Sequence, residues 1–121
     1  MKYYKLTDSE LKFTELVWEH QPITSGELVK LCERAFLWKK STTYTVLKKL
    51  CENNILQNEN AVVTAKLSKE NYFANQTTRF VEDTFGGSLP KFLTAFIGNN
   101  KLTKKEAEEL KKLIDDYNDK A

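Results

Sequence analysis

The segment from Trp38 to Leu50 contains the residues whose types and spacing most clearly indicate chemistry. It holds four lysines and no acidic residue. In a helix with about 100° between residues, Ser41, Thr45, Lys48 and Lys49 lie on one side, and Thr43, Val46 and Leu47 lie on the other. Hydroxyl and long basic side chains bind base edges and phosphates when a helix enters the major groove of DNA. The predicted DNA-binding residues are Lys39, Lys40, Ser41, Thr42, Tyr44, Thr45, Lys48 and Lys49. A solvated lysine face on an ordinary amphipathic helix is the alternative interpretation.

Few other side chains could catalyse a reaction or hold a metal ion. The sequence contains one histidine, His20, and no phosphate-binding glycine loop, zinc-protease motif or serine nucleophile motif. Cys32 and Cys51 fall on the apolar faces of predicted helices, which favours buried cysteines over metal or redox roles. Trp18 and Trp38 are expected to anchor the core. We therefore predict a protein that is not an enzyme and that binds no metal or cofactor.

Length and composition predict an ordinary folded protein. The 121 residues are 40% hydrophobic and 30% charged, which excludes disordered and fibrous classes. The net charge of +2 does not by itself indicate a nucleic-acid binder, so any such activity must come from local clustering of lysines. Two cysteines are too few for a small secreted disulfide scaffold. The absence of a signal sequence or a long apolar run predicts a soluble, cytoplasmic protein.

The elements that must position the lysine segment are predicted from helix-start signals. Thr7 and Glu10, like Thr24 and Glu27, have the spacing of a capping box, in which each side chain bonds the other residue's backbone amide. Two short helices are therefore expected between residues 8 and 35, the first ending at Gln21-Pro22. A third helix is expected from about Lys40 to Glu52, with Thr43, Val46, Leu47, Leu50 and Cys51 on its apolar side.

Two short strands are expected after the third helix. Ile55-Leu56-Gln57 and the stretch from Ala61 to Leu67 have strand composition, and Asn58-Glu59-Asn60 is expected to join them. Three helices followed by a hairpin is the order of a winged helix. The predicted fold is mainly α with a small β-wing. Residues 1–67 would form a winged helix-turn-helix DNA-binding domain.

The remaining residues, 68–121, are predicted to form a helical dimerisation domain. Ser88 and Pro90 indicate the start of one helix, and Thr103 with Glu106 indicates the start of another. Three helices of this size have too little mass for a core of their own, yet they carry many large apolar side chains. Burial against a second copy is therefore expected. The predicted dimerisation residues are Phe73, Phe80, Phe85, Leu89, Phe92, Leu93, Phe96, Leu110, Leu113, Ile114 and Tyr117.

Motifs along nearly the whole chain resemble, in order and spacing, those of the penicillinase and methicillin-resistance repressors (the BlaI/MecI/CopY family). The motifs are Thr7-Asp8-Ser9-Glu10-Leu11, Val17-Trp18, Thr24-Ser25-Gly26-Glu27-Leu28, Trp38 with Thr42, Thr45, Leu47, Lys49 and Leu50, Gly87-Ser88-Leu89, Phe96 and Leu102-Thr103. The resemblance implies a homodimeric winged-helix repressor that binds a palindromic operator. It also implies control of a β-lactamase or other antibiotic-resistance operon. A membrane-bound sensor protease would lead to cleavage near Ala95-Phe96 in the dimerisation domain.

Two alternatives stay open. One is a related repressor of another operon, for copper or stress genes, although the cysteine cluster of the copper-responsive branch is missing from the sequence that ends at Ala121. The other is a winged-helix module that binds proteins and no DNA, which the modest net charge and the acidic Asn58-Glu59-Asn60 segment would favour.

Overall fold

A computed structural model describes residues 4–120. In that part of the chain, six α-helices and three short strands follow in the order α1 (Asp8–His20), β1 (Ile23–Thr24), α2 (Ser25–Phe36), α3 (Lys40–Glu52), β2 (Leu56–Glu59), β3 (Val62–Ala65), α4 (Lys69–Phe85), α5 (Leu89–Asn99) and α6 (Lys104–Lys120). The predicted order of three helices and a hairpin, followed by further helices, is confirmed. The chain divides into two compact units, one up to Arg79 and one from Phe80.

The helices begin where the capping residues are. At α1, the Thr7 hydroxyl accepts from the Glu10 amide at 3.2 Å, and a Glu10 carboxylate oxygen accepts from the Thr7 amide at 3.0 Å. At the start of α2, Thr24 accepts from the Glu27 amide, but only this half of the predicted capping box forms there. The bonds satisfy amides that the first helical turn leaves without partners. These helix starts are therefore decided by residues close together in the sequence.

The sheet places the hairpin beside the helices. Its three strands are antiparallel in the order β1-β3-β2. The hairpin turn is formed by Asn60 and Ala61, later than the predicted Asn58-Glu59-Asn60. The prediction was wrong because Glu59 pairs with Val62, which leaves a two-residue turn whose residues both adopt left-handed backbone, with φ of 51° and 64°.

The strand β1 was not predicted from the sequence. Ile23 pairs with Val63 and Thr24 pairs with Val62. Two residues are too few to show the alternation of apolar and polar side chains by which strands are recognised. The strand exists because β3 offers it a partner, and that partner is distant in the sequence.

The core of the first unit joins α1, α2, α3 and the sheet. Cys32 is buried as predicted, whereas Cys51 is half-buried. Burial raises the pKa of both thiols, so they stay protonated at neutral pH. The apolar side chains buried almost completely are Phe13, Val17, Leu28, Cys32, Leu47, Leu50, Leu56 and Val63.

The first turns of α4 belong to the first unit. Tyr72 is buried, and its hydroxyl accepts from the Leu6 amide at 2.9 Å. The Trp18 indole N–H donates to the Leu67 carbonyl at 2.9 Å, and its ring lies 6.0 Å from that of Tyr72. The compact unit thus extends past residue 67 to Arg79, and the functional boundary at 67/68 stays a prediction.

The turn between α2 and α3 orients the lysine-bearing helix. Leu37 adopts left-handed backbone with φ 59° and is 87% exposed. The next residue, Trp38, turns back to the core, where its ring lies 5.9 Å from Phe13 and 5.0 Å from Phe36. Trp38 therefore anchors the start of α3, as expected.

The second unit contains α5, α6 and the end of α4. Ser88 caps α5 by accepting from the Lys91 amide at 3.2 Å, and Thr103 with Glu106 forms both bonds of a capping box before α6. None of the residues from Phe80 to Asp119 is buried. The unit thus has regular helices without an interior of its own.

Candidate nucleic-acid interface

The helix α3 has two distinct sides. Thr43, Leu47 and Leu50 are buried against the core. The side chains on the other side, and those just before it, are exposed to solvent. They are all eight residues predicted to bind DNA: Lys39, Lys40, Ser41, Thr42, Tyr44, Thr45, Lys48 and Lys49. The fold therefore brings these hydroxyl and ammonium groups together on one accessible face.

The amino-terminal end of this face is tied to α2. The Tyr44 hydroxyl donates to Ser25 Oγ at 3.3 Å, and the Lys40 ammonium lies 5.9 Å from the Tyr44 ring centroid. Lys39 occupies the N-cap position and makes no side-chain bond to the helix start. The first amides of α3 therefore have no side-chain cap from Lys39, and the positive end of the helix dipole favours a nearby anion such as a backbone phosphate.

Thr45 lies in the middle of the exposed face. Its hydroxyl donates to the Ser41 carbonyl at 2.9 Å. This bond fixes the direction of the hydroxyl proton, while the oxygen keeps lone pairs that can accept from a ligand. The Thr45 oxygen can therefore still accept a hydrogen bond from a group outside the protein.

The carboxyl-terminal part of the face is tied to α1 through an ion pair. The Lys49 ammonium lies 3.0 Å from Glu10 Oε2, and the Glu10 side chain is nearly buried while that of Lys49 is 54% exposed. The Tyr4 hydroxyl also donates to the Glu10 carboxylate, 3.1 Å from each oxygen. From the sequence, Glu10 was predicted only to form a capping box with Thr7. Nothing local to Glu10 or Lys49 in the sequence indicates that they meet.

The charge on Glu10 should make stability depend on pH. Burial raises the pKa of the Glu10 carboxyl. The Thr7 amide, the Lys49 ammonium and the Tyr4 hydroxyl together lower it by more than burial raises it, so the pKa in the folded state lies below the ordinary value of 4.5. A carboxyl with a depressed pKa stabilises the fold above its unfolded pKa and loses this contribution as the pH falls through the folded value. We expect urea denaturation to give a stability advantage of wild type over Glu10→Gln that is constant near pH 7 and shrinks below about pH 4.5. An advantage that grows toward acid pH would contradict the assignment.

The hairpin contributes little positive charge near this face. Asn58, Glu59 and Asn60 are exposed, and Glu59 is acidic. The turn is held to α2 by the Ser25 amide, which donates to the Ala61 carbonyl at 2.8 Å. The exposed lysines of α3, rather than the hairpin, therefore provide the surface suited to phosphate.

The residues predicted for dimerisation lie mostly in the second unit. The rings of Phe80, Phe85 and Phe92 contact one another, with centroids 5.8–6.2 Å apart. Phe73 instead lies in the first unit, where its ring contacts Trp18 and Tyr72. The other members of the predicted set, Leu89, Leu93, Phe96, Leu110, Leu113, Ile114 and Tyr117, are exposed or half-buried.

A cleft of about 530 Å³ separates α5 from α6 in the second unit. Phe92, Phe96, Leu110 and Leu113 are among the apolar residues that line it. Ala95 and Phe96, the predicted cleavage site, are both exposed and lie within α5. An exposed apolar surface of this kind is typical of a protein interface.

The described residues include no evident metal site or membrane span. His20 is exposed, and its Nδ1 lies 2.8 Å from the Leu16 carbonyl. Across residues 4–120, no three acidic, histidine or cysteine side chains are grouped so that they could hold a metal ion. Within the same residues, no helix has both the length and the apolar character needed to cross a bilayer.

Comparison with known proteins identifies the family. The chain is 22% identical to the penicillinase repressor of Bacillus licheniformis over 120 residues, covering 96% of this chain and 94% of that protein. It is 22% identical to the penicillinase repressor of Staphylococcus aureus over an alignment of 123 positions, covering 98% of each.

A solved structure shares the fold of part of the chain. It is the solution structure of the Bacillus licheniformis BlaI monomeric form in complex with the blaP half-operator, with 25% identity and a TM-score of 0.51. The match covers 59% of this chain and 92% of that one. The sequence model of the family named penicillinase repressor matches residues 6–116. The chain therefore belongs to the penicillinase repressor family.

Proposed function

We propose that this chain is a transcriptional repressor that inserts α3 into the major groove of operator DNA. The observation that carries the proposal is the exposed face of α3, where hydroxyl groups and lysines converge on the second helix of a helix-turn-helix. In such a motif the second helix meets base edges, and the surrounding basic groups meet phosphates. The likeness to a BlaI form in complex with a half-operator supports this placement.

The repressor is proposed to act as a homodimer through its second unit. The unit leaves apolar side chains exposed and buries none of its described residues, so association with a second copy would remove them from water. Two α3 helices would then read half-sites separated by about 34 Å or a multiple of that distance along the duplex. Two linked DNA-binding domains bind the operator far more tightly than one, because the second domain binds its half-site in an intramolecular step.

Release from the operator is proposed to follow cleavage between Ala95 and Phe96 by a membrane-bound sensor protease, with an antibiotic-resistance operon such as that of a β-lactamase as the target. Both residues are exposed, which supports access by a protease. They lie inside α5, so the helix must open locally before the bond can enter an active site. Cleavage there would divide the apolar surface that joins the two copies and thereby lower operator affinity.

The experiment that tests the function is an electrophoretic mobility shift with the promoter beside the gene, followed by footprinting. A repressor should protect two symmetric half-sites, and the logarithm of its affinity should fall with the logarithm of salt concentration by about 0.9 per phosphate contact. Absence of a shift with this promoter and with unrelated DNA would overturn the proposal and favour a winged-helix module that binds proteins. Protection beside copper or stress genes would change the operon and keep the mechanism.

A further inference from the structure

Glu10 is a buried carboxylate with three partners, two from the segment just before α1 and one from α3. Only 5% of the residue is exposed. Its oxygens accept from the Thr7 amide at 3.0 Å and from the Tyr4 hydroxyl at 3.1 Å, and the Lys49 ammonium lies 3.0 Å away. The amide and the hydroxyl are neutral donors, so Lys49 supplies the compensating positive charge. Removing the ammonium would leave a buried charge without its counterion, which is costly.

Lys49 differs in this respect from the other basic residues of α3. Of the lysines in α3, Lys49 is the one for which the described part of the chain shows an ion pair. Its ammonium is paired with the Glu10 carboxylate of α1. Lys48, the next residue, is exposed on the same helix. A lysine whose charge is already neutralised by the protein gains little from a phosphate and releases few counterions from DNA.

We propose that Lys49 is a positioning residue, which holds the carboxyl-terminal half of α3 to α1 through Glu10 and Tyr4 and makes no phosphate contact itself. The proposal rests on the proposed function of α3 and reassigns one of the residues predicted to bind DNA. The opposite end of the helix is held to α2 by the Tyr44–Ser25 hydrogen bond. Two polar contacts, one near each end, therefore add to the core packing that sets the angle at which Ser41, Thr45 and Lys48 meet the groove.

Positioning and phosphate contact have different consequences for binding. A phosphate contact contributes to every DNA sequence and adds to the salt dependence. A contact that orients the helix strengthens only the complex in which side chains match base edges, because small displacements break base-edge hydrogen bonds. The two roles are therefore separated by salt dependence and by the preference for operator over unrelated DNA.

The experiment compares full-length wild type with Glu10→Gln/Lys49→Gln, Lys48→Gln and Lys49→Arg. The double variant keeps the net charge of wild type and leaves no unpaired buried charge. Operator DNA from the promoter beside the gene and a scrambled duplex of equal length are titrated at several salt concentrations. Urea denaturation confirms that each variant is folded at the binding temperature.

We expect the double variant to bind operator about tenfold more weakly at every salt concentration, with an unchanged salt slope and unchanged affinity for scrambled DNA. Lys48→Gln should reduce the salt slope by about 0.9 for each subunit that binds and weaken binding to both duplexes. Lys49→Arg, which can keep the ion pair, should retain most of the operator preference.

Two results would overturn the positioning role. One is a salt slope for the double variant that falls as much as that of Lys48→Gln. The other is an operator preference equal to that of wild type. Failure of the proposed function is distinct, since wild type itself would then show no preference for operator and Lys48→Gln would not change the slope.

Discussion

Replacing Phe96 with aspartate is expected to convert the protein to monomers and to weaken operator binding by at least about a hundredfold. Phe96 is 49% exposed in the single chain and lines the cleft between α5 and α6. At the proposed interface its ring would be covered by the second copy. An aspartate there would bury an unpaired charge, which opposes association strongly. The loss in DNA affinity follows because each DNA-binding domain must then bind its half-site independently.

Sedimentation velocity measures the association state of Phe96→Asp, and mobility shifts on full operators measure its affinity. Thr94→Asp is the matched control, because it places the same charge on an exposed position of α5 about 200° around the helix from Phe96. The control should stay dimeric. Affinity for an isolated half-operator should be the same for both variants, since neither changes α3. A dimeric Phe96→Asp protein would show that the two copies associate through another surface.

Replacing Phe13 with alanine is expected to lower the free energy of unfolding of the first unit by about 3–5 kcal/mol. Phe13 is fully buried in α1, and its ring stacks on Trp38 at the start of α3. The substitution removes a large apolar group and leaves a cavity that the surrounding helices fill incompletely. It also removes the surface on which Trp38 rests, so operator affinity should fall even where the unit remains folded.

Urea denaturation followed by tryptophan fluorescence measures this effect, because both tryptophans, Trp18 and Trp38, belong to the first unit. Phe73→Ala is the control. It removes the same group from a side chain that is 41% exposed and that contacts Trp18. Its cost should be less than half that of Phe13→Ala, since much of the ring already lies in water. Equal costs would mean that Phe13 does not organise the core as its burial indicates.

The sequence alone was sufficient for most helices and for the face of α3. Thr7, Thr24 and Thr103 mark helix starts, and each bonds a residue three positions later. The division of α3 into a buried and an exposed side follows from the same short spacing. These features depend on residues within one or two turns of each other, so their physical cause is contained in a short stretch of chain.

Other features were decided by the tertiary structure. The strand β1 forms because Ile23 meets Val63, and the hairpin turn falls at Asn60 and Ala61 because Glu59 pairs with Val62. The ion pair of Lys49 with Glu10 links two helices whose sequences do not indicate it. Each of these contacts joins positions that packing of the core brings together. Local propensity therefore determined which segments are helical and which groups face outward, whereas the packed core decided which of those groups are already occupied by partners within the protein.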